Sequence, residues 1–265
     1  MSILLNAPGS GTAINPAMTG AQTSPVNASA EQPVLQTINL TKYVDTPTGP
    51  LNIMNNVNLA VRSGEYVIIY GTSGSGKTTL INAIAGLDRP SAGSIIVGGR
   101  DIVKMSDREL SHYRMAALGI VYQDTNILDA LSVLQNVEMP MTLAGMPEER
   151  RRPQALKMLE VFHLSHMANK MPSEISAGEK FRVALARALV NSPLILLIDS
   201  MIDYLDARTA DDVMENIRFI NEQTGLAIIL TTNNPNFIHY PHKVVYMSGG
   251  QVSRVIENRP LRHSQ

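Results

Sequence analysis

A glycine-rich segment at residues 71–78, GTSGSGKT, has the spacing needed to hold phosphate groups. Glycines let such a loop wrap so that successive backbone N–H groups point at phosphate oxygens, and a following helix adds the positive end of its dipole. Lys77 is expected to reach the β- and γ-phosphates of a nucleotide, and the Thr78 hydroxyl to coordinate Mg²⁺. The candidate phosphate-binding residues of this loop are Gly71, Ser73, Gly74, Ser75, Gly76, Lys77, Thr78 and Thr79.

The sequence on either side favours a phosphate-binding loop over a chance run of Gly and Ser. An apolar stretch predicted to be a buried strand, EYVIIY, comes directly before it, and KTTLINAIAGL, with helical spacing of apolar residues, follows. In a strand–loop–helix context this motif is among the strongest short sequence signals. By itself it does not separate kinases, GTPases and transport ATPases.

A second apolar stretch, LILLID, ends on the carboxylate of Asp199. A carboxylate is costly to bury at the end of an apolar strand without a partner, so Asp199 is predicted to hold Mg²⁺ through the metal's shell of water. The next residue is Ser200. A serine hydroxyl is not ionised near neutral pH, so it can orient water but cannot serve as a base comparable to a carboxylate.

The elements that must position these residues alternate between strand and helix, which predicts an α/β fold with a largely parallel sheet covered on both faces. An antiparallel β portion is expected at the N-terminal side, and a hairpin in KVVYMSGGQVSRVI turns at Gly249 and Gly250. Residues 126–176 show helical periodicity with no convincing strand, and they are interpreted as a helical insertion.

The ends of the chain and its composition restrict the possible classes of protein. Residues 1–33 are poor in charge and rich in small and polar residues, which predicts a flexible tail, and residues 257–265 are assigned to a short C-terminal tail. A net charge of −1 gives no electrostatic footprint for nucleic acid. No apolar run approaches the length of about 18 residues needed to cross a bilayer.

These motifs resemble those of the ATP-binding-cassette (ABC) ATPases, and most closely the group that powers lipoprotein release, macrolide export and cell-division complexes. The segment GSGKTTLINAIAGLDRPSAGSIIVGGRDI resembles that group's phosphate loop and following strand. The segment LGIVYQDTNILDALSVLQNVEMPMTLAG resembles its glutamine loop and the start of its helical subdomain. The resemblance covers residues 34–256 and implies a P-loop NTPase core with a helical subdomain.

The resemblance also implies ligands, partners and roles for individual residues. ATP and Mg²⁺ are the expected ligands, and a second ATP-binding subunit and an integral membrane permease are the expected partners, with no nucleic acid. The chain would then lie in the cytoplasm, at the inner face of the cell membrane, through its permease.

Four further residues take their expected roles from the resemblance. Tyr43 lies where the family stacks an aromatic ring on adenine, although a half-buried strand tyrosine explains it equally well. Gln123 lies where the family's glutamine contacts Mg²⁺ and the attacking water. Leu205 and Asp206 match the end of a loop that crosses the dimer interface, although Asp206 is also a suitable N-cap for the next helix.

Three departures from the family pattern fall on one step, ATP hydrolysis. Ser200 replaces the glutamate that activates water, and Asn233 replaces a histidine that contacts the γ-phosphate. Residues 175–182, ISAGEKFR, replace the leucine–serine–glycine–glycine–glutamine signature that grips ATP from the opposite subunit. Ser176 and Gly178 are retained in that signature, whereas Ala177 and Glu179 are changes.

The residues expected to bind ATP therefore match the family pattern, whereas those expected to cleave ATP differ from it. We interpret the chain as a Mg-ATP-binding subunit with impaired hydrolysis at its own site. The alternatives are a slow but active homodimeric ATPase, in which Asp203 could take over as the base, and a soluble ATP-gated switch or scaffold without a transporter. A small-molecule kinase explains neither the YQD segment around Gln123 nor the helical insertion.

Overall fold

The computed structural model describes residues 32–47 and 49–258 and shows a mixed α/β fold with two sheets. The strands are β1 (Leu35–Thr46), β2 (Gly49–Val61), β3 (Tyr66–Tyr70), β4 (Ala92–Val97), β5 (Arg100–Asp101), β6 (Leu118–Val121), β7 (Ile195–Asp199), β8 (Ala227–Thr232), β9 (Lys243–Ser248) and β10 (Gln251–Glu257). The helices are α1 (Lys77–Ile84), α2 (Asp107–Ala117), α3 (Val133–Leu143), α4 (Glu148–Val161), α5 (Ala177–Leu189) and α6 (Ala207–Thr224).

The larger sheet has six strands in the order β10-β9-β3-β8-β7-β6. Its strands from β9 to β6 are parallel, and β10 pairs antiparallel with β9 through the predicted hairpin. All five residues of β7 are buried, because alternate side chains pack into hydrophobic clusters on opposite faces of the sheet. Burial on both faces explains why this strand is a continuous apolar run.

The smaller sheet has four antiparallel strands in the order β2-β1-β4-β5. Its apolar side chains join those of α1 and one face of the larger sheet in a single cluster. The predicted α/β fold, with an antiparallel portion on the N-terminal side, is therefore confirmed.

The predicted helical insertion contains α3 and α4, and residues 126–176 contain no strand. Ser132 caps α3, and its side chain and that of Gln135 form a reciprocal capping box. The buried side chains of α3 and α4 belong to the same hydrophobic cluster as α5 and the outer face of the larger sheet. The insertion is thus packed onto the α/β core through α5.

Helix α2 was not predicted from the sequence. It begins at a capping box between Ser106 and Glu109, and only Leu110 and Tyr113 are buried within it. The S-x-x-E spacing was a usable start signal, but two buried side chains give too weak an apolar periodicity to recognise the helix.

The two predicted tails fall almost entirely outside the described residues. Among residues 32–47 and 49–258, no helix is long and apolar enough to span a membrane. The proposed domain bounds stay a prediction.

Candidate functional site

Three parallel strands of the larger sheet end at the same edge, and most of the predicted site residues lie there. Residues 71–76 follow β3, and Asp199 is the last residue of β7. Asp199 pairs with Thr231, and Tyr70 with Thr232, so the ends of β7, β8 and β3 lie side by side. Ligands of parallel α/β sheets bind beyond the carboxyl ends of the strands.

Two glycines of the phosphate loop, Gly71 and Gly76, lie so close to neighbouring backbone that a side chain would not fit without a shift. A Cβ on Gly71 would lie 2.4 Å from the carbonyl oxygen of Met247. Gly76 has φ +98°, and a Cβ there would lie 3.0 Å from the Ile53 carbonyl oxygen. The Gly71 amide donates to the Thr232 carbonyl at 3.2 Å, which fixes the start of the loop to the end of β8.

Helix α1 begins at Gly76 without a side-chain cap and without an acidic residue in its first turn. Its first amide N–H groups are therefore free to bind an anion, with the positive end of the helix dipole behind them. The hydroxyl of Ser75, buried in the same loop, has no hydrogen-bond partner among the residues that the structure describes. An uncapped helix start and an unpartnered buried hydroxyl fit a bound phosphate group.

The Lys77 ammonium lies over this loop and is 7% exposed. It donates to the carbonyl oxygens of Gly71 at 2.7 Å and Thr72 at 2.9 Å. Burial lowers the pKa of Lys77, whereas the carboxylates of Asp203 and Asp199 act to raise it. Both acceptors are uncharged, so the ammonium can exchange them for phosphate oxygens.

Two of the three expected magnesium ligands, Thr78 and Asp199, are in direct contact. The Thr78 hydroxyl donates to Oδ1 of Asp199 at 3.2 Å, and Asp199 is 4% exposed. The hydroxyl of Thr231, which sequence reasoning missed, donates to the same oxygen at 2.7 Å. One carboxylate and one hydroxyl suit Mg²⁺, which completes its octahedron with water and substrate phosphates. The residues present therefore fit Mg²⁺.

Ser200 is tied into this hydroxyl cluster. Its Oγ lies 3.4 Å from Oδ1 of Asp199 and 3.2 Å from Oγ1 of Thr231, and its amide donates to Oγ1 of Thr231 at 2.9 Å. Its backbone has φ +47°, an uncommon conformation for a residue other than glycine. The residue directly after Asp199 thus offers a neutral hydroxyl and no carboxylate.

Asp203 is bound to the loop that follows β8. Its Oδ1 accepts from the Thr232 hydroxyl, and its Oδ2 accepts from the Asn233 amide at 3.0 Å. Both oxygens of the alternative base are therefore engaged by donors.

The structure does not bring Gln123 or the side chain of Asn233 into this network. Both residues are exposed, and within residues 32–47 and 49–258 neither side chain makes a hydrogen bond. Their roles stay predictions.

The altered signature forms the start of α5, where Ser176 is the N-cap. The Glu179 carboxylate accepts from the Ser176 amide at 2.7 Å and from the Ser176 hydroxyl at 2.8 Å. These hydrogen bonds, that of the backbone amide first, lower the pKa of Glu179. The two residues expected to face a partner's nucleotide thus bind one another.

Asp206 and Tyr43 occupy positions at the periphery. Asp206 is the N-cap of α6 and accepts from the Thr209 amide at 3.1 Å, as the capping alternative predicted. Tyr43 is 50% exposed on β1, so its ring is accessible to a ligand. Gly178 packs against α6, where a Cβ would lie 3.0 Å from Cγ2 of Thr209.

Comparisons with known proteins agree with this geometry. A family model described as ABC transporter matches residues 54–202. The chain belongs to the ABC transporter family. The lipoprotein-releasing system ATP-binding protein LolD of Geobacter metallireducens is 34% identical over 219 residues, covering 83% of this chain and 97% of the relative.

A solved structure shows the same fold. The ATP-binding cassette MJ0796, as a dimer in a post-hydrolysis state bound to ADP and Pi, matches with a TM-score of 0.78 and 33% identity. The match covers 86% of this chain and 100% of that chain. In Methanocaldococcus jannaschii, MJ0796 is an ABC transporter ATP-binding protein 34% identical over 220 residues, covering 82% of this chain and 94% of the relative. The predicted family and fold are confirmed, and ATP with Mg²⁺ is the ligand of this domain.

Proposed function

We propose that this chain is a Mg-ATP-binding subunit of an ABC transporter or related membrane complex, with impaired hydrolysis at the site built on its own Lys77. It pairs with a second ATP-binding subunit and couples ATP-driven dimerisation to a membrane permease, which holds it at the inner face of the membrane. The names of its relatives, which include ATP-binding proteins of lipoprotein-releasing and methionine-import systems, support the role in transport.

The observation that carries the proposal is the contrast between Lys77 and Ser200. Lys77, Thr78 and Asp199 form a cluster suited to a triphosphate and Mg²⁺. The position after Asp199 holds a hydroxyl within hydrogen-bond distance of other hydroxyl and carboxylate groups. A positioned base typically contributes about 10²–10⁴ to the rate, so its loss slows hydrolysis without removing a contact to ATP.

The altered signature at the start of α5 is expected to bind the ATP of the opposite subunit weakly. Glu179 places a carboxylate in the signature that is expected to grip the ATP of the opposite subunit, and this carboxylate already accepts from the Ser176 hydroxyl. A negative charge there opposes a polyphosphate. A partner with an intact signature would still close over the phosphate loop of this chain, so a heterodimer suits these residues better than a homodimer.

Single-turnover hydrolysis by the purified chain, in excess over γ-labelled ATP, tests the proposal. We expect slow phosphate release, and an equally slow release from Ser200→Ala, because the hydroxyl is not the base. Fast release by the wild type that is lost in Ser200→Ala would contradict the proposal. Fast release lost in Asp203→Ala would favour the alternative in which Asp203 is the base of a homodimeric ATPase.

The soluble switch or scaffold makes a different prediction. Purification of the chain from its native membranes should recover a permease and a second ATP-binding subunit. Recovery of the chain from the soluble fraction alone, as an ATP-dependent dimer, would favour the scaffold.

A further inference from the structure

The end of β7 and the segment that follows it are joined to the end of β8 by two pairs of side chains. Two consecutive threonines end β8, and each donates its hydroxyl to a different carboxylate: Thr231 to Asp199 and Thr232 to Asp203. The Asn233 amide adds a second donor to Asp203 at 3.0 Å. Thr232 also accepts from the Gly71 amide through its carbonyl oxygen. Asp203 is therefore fixed directly beside the start of the phosphate loop.

The position of Asp203 brings a second carboxylate to the phosphate-binding site. Thr232 links Asp203 to this site directly, because its hydroxyl donates to Asp203 and its carbonyl oxygen accepts from the Gly71 amide at 3.2 Å. Asp199 is the expected magnesium ligand, whereas Asp203 is hydrogen-bonded through both oxygens to the protein itself. The Asp203 carboxylate is therefore held beside the phosphate loop by the protein and does not depend on a metal for its position.

A fixed carboxylate at this point acts on the two forms of a nucleotide unequally. Free triphosphate carries more negative charge than its magnesium complex, because the cation neutralises part of that charge. Coulomb repulsion from a partly buried carboxylate is only weakly screened and grows with the charge of the ligand. The free nucleotide therefore loses more affinity than the magnesium complex.

We propose that Asp203 is a specificity-determining residue that makes this chain select the magnesium complex of a nucleoside triphosphate over the free triphosphate. The inference rests on ATP binding at the phosphate loop and does not depend on whether the chain hydrolyses ATP.

Binding of the non-cleavable ATP analogue adenylyl imidodiphosphate, measured by calorimetry in MgCl2 and in EDTA, tests the proposal. The quantity of interest is the ratio of the two dissociation constants. We expect Asp203→Asn to narrow this ratio about tenfold, chiefly by tighter binding of the free analogue. Because the analogue is not cleaved, the result is separate from the test of impaired hydrolysis.

Three further variants make the result specific to the charge at this position. Asp203→Ser also removes the carboxylate and should narrow the ratio of dissociation constants as Asp203→Asn does. It serves as the test variant if Asp203→Asn does not fold. Asp203→Glu keeps the charge and should keep the ratio of the wild type. Glu149→Gln removes one exposed negative charge from α4 and should also keep it. An unchanged ratio in the folded neutral variants, or an equal narrowing in Glu149→Gln, would overturn the proposal.

Discussion

Two helices of this protein begin at positions where an ABC ATPase is expected to meet ATP, and they begin in opposite ways. Helix α1 has no side-chain cap, and Lys77 above it is held by neutral carbonyl oxygens. Helix α5 is closed by a capping box in which the Glu179 carboxylate accepts from the Ser176 amide and hydroxyl. The start of α1 is available to a bound anion, whereas the start of α5 already binds the carboxylate of its own Glu179.

In the proposed function, this difference separates the binding of ATP from its hydrolysis in one chain. The open start of α1 would contact the nucleotide bound to this chain, whereas the start of α5 would contact the nucleotide of the partner. A capping box is worth about 1 kcal/mol to the helix that it closes. Stability at α5 is thus gained from the same groups that a signature needs free for ATP.

The largest effect is expected from Lys77→Ala at the open start. The variant removes charge-assisted contacts to the phosphates that are worth about 2 kcal/mol each, so ATP affinity should fall about a thousandfold. Calorimetric titration with Mg-ATP measures it, with Lys104→Ala, an exposed lysine on the surface, as the control. Unchanged affinity in Lys77→Ala would mean that the loop is not the phosphate site.

Ser200→Glu should raise the rate of ATP hydrolysis. A carboxylate after Asp199 supplies a base, and we expect single-turnover hydrolysis to rise about a hundredfold. Ser200 already adopts this left-handed backbone, so the glutamate keeps a conformational cost that the wild type also carries, and thermal melting checks that the variant folds. No gain in rate from a folded variant would show that Asn233 and the signature also limit hydrolysis.

Glu179→Gln tests whether the carboxylate in the capping box of α5 opposes the ATP of a partner subunit. Removing the charge weakens the capping box and the repulsion of a partner's phosphate, so ATP-dependent self-association should rise about fivefold. Sedimentation of the Ser200→Ala background with and without Mg-ATP measures the change. Equal or weaker association would show that the carboxylate does not oppose dimer closure.

Ser176→Ala tests whether the capping box at the start of α5 stabilises the fold. The cap is lost, and the free energy of unfolding should fall by about 1 kcal/mol in urea denaturation. Ser173→Ala, at an exposed serine outside the cap, should leave it unchanged. An equal loss in both variants would argue against the capping box.

The smallest effect is a pH dependence from Glu179. Its hydrogen bonds lower the pKa of the folded carboxyl, so its stabilisation is present above the usual glutamate pKa and is lost as pH falls through the lowered value. Wild type should therefore lose more stability than Glu179→Gln as the pH falls below about 4. If the stability of the wild type and of Glu179→Gln fell in parallel with pH, the result would contradict this role of Glu179.

Much of the fold, together with the phosphate loop at the start of α1, could be predicted from the sequence because each depends on a local pattern of residues. The buried strand that ends at Asp199 and the spacing from Gly71 to Thr78 are readable without tertiary contacts. Thr231 and Thr232 were missed, since an alternating or apolar strand gives no sign that its last hydroxyls will meet two carboxylates from another segment. Both oxygens of Asp203 are engaged by residues about 30 positions away, a pairing that only the sheet register creates.

The measurement that tests the central claim most directly uses ATP labelled both on the adenine and on the γ-phosphate. The purified chain is loaded with this nucleotide in Mg²⁺, held for several hours and recovered on a filter. We predict that the two labels stay on the protein in nearly equal amounts, because impaired hydrolysis leaves most of the bound ATP uncleaved. Rapid loss of the γ-label while the adenine label remains would contradict the account.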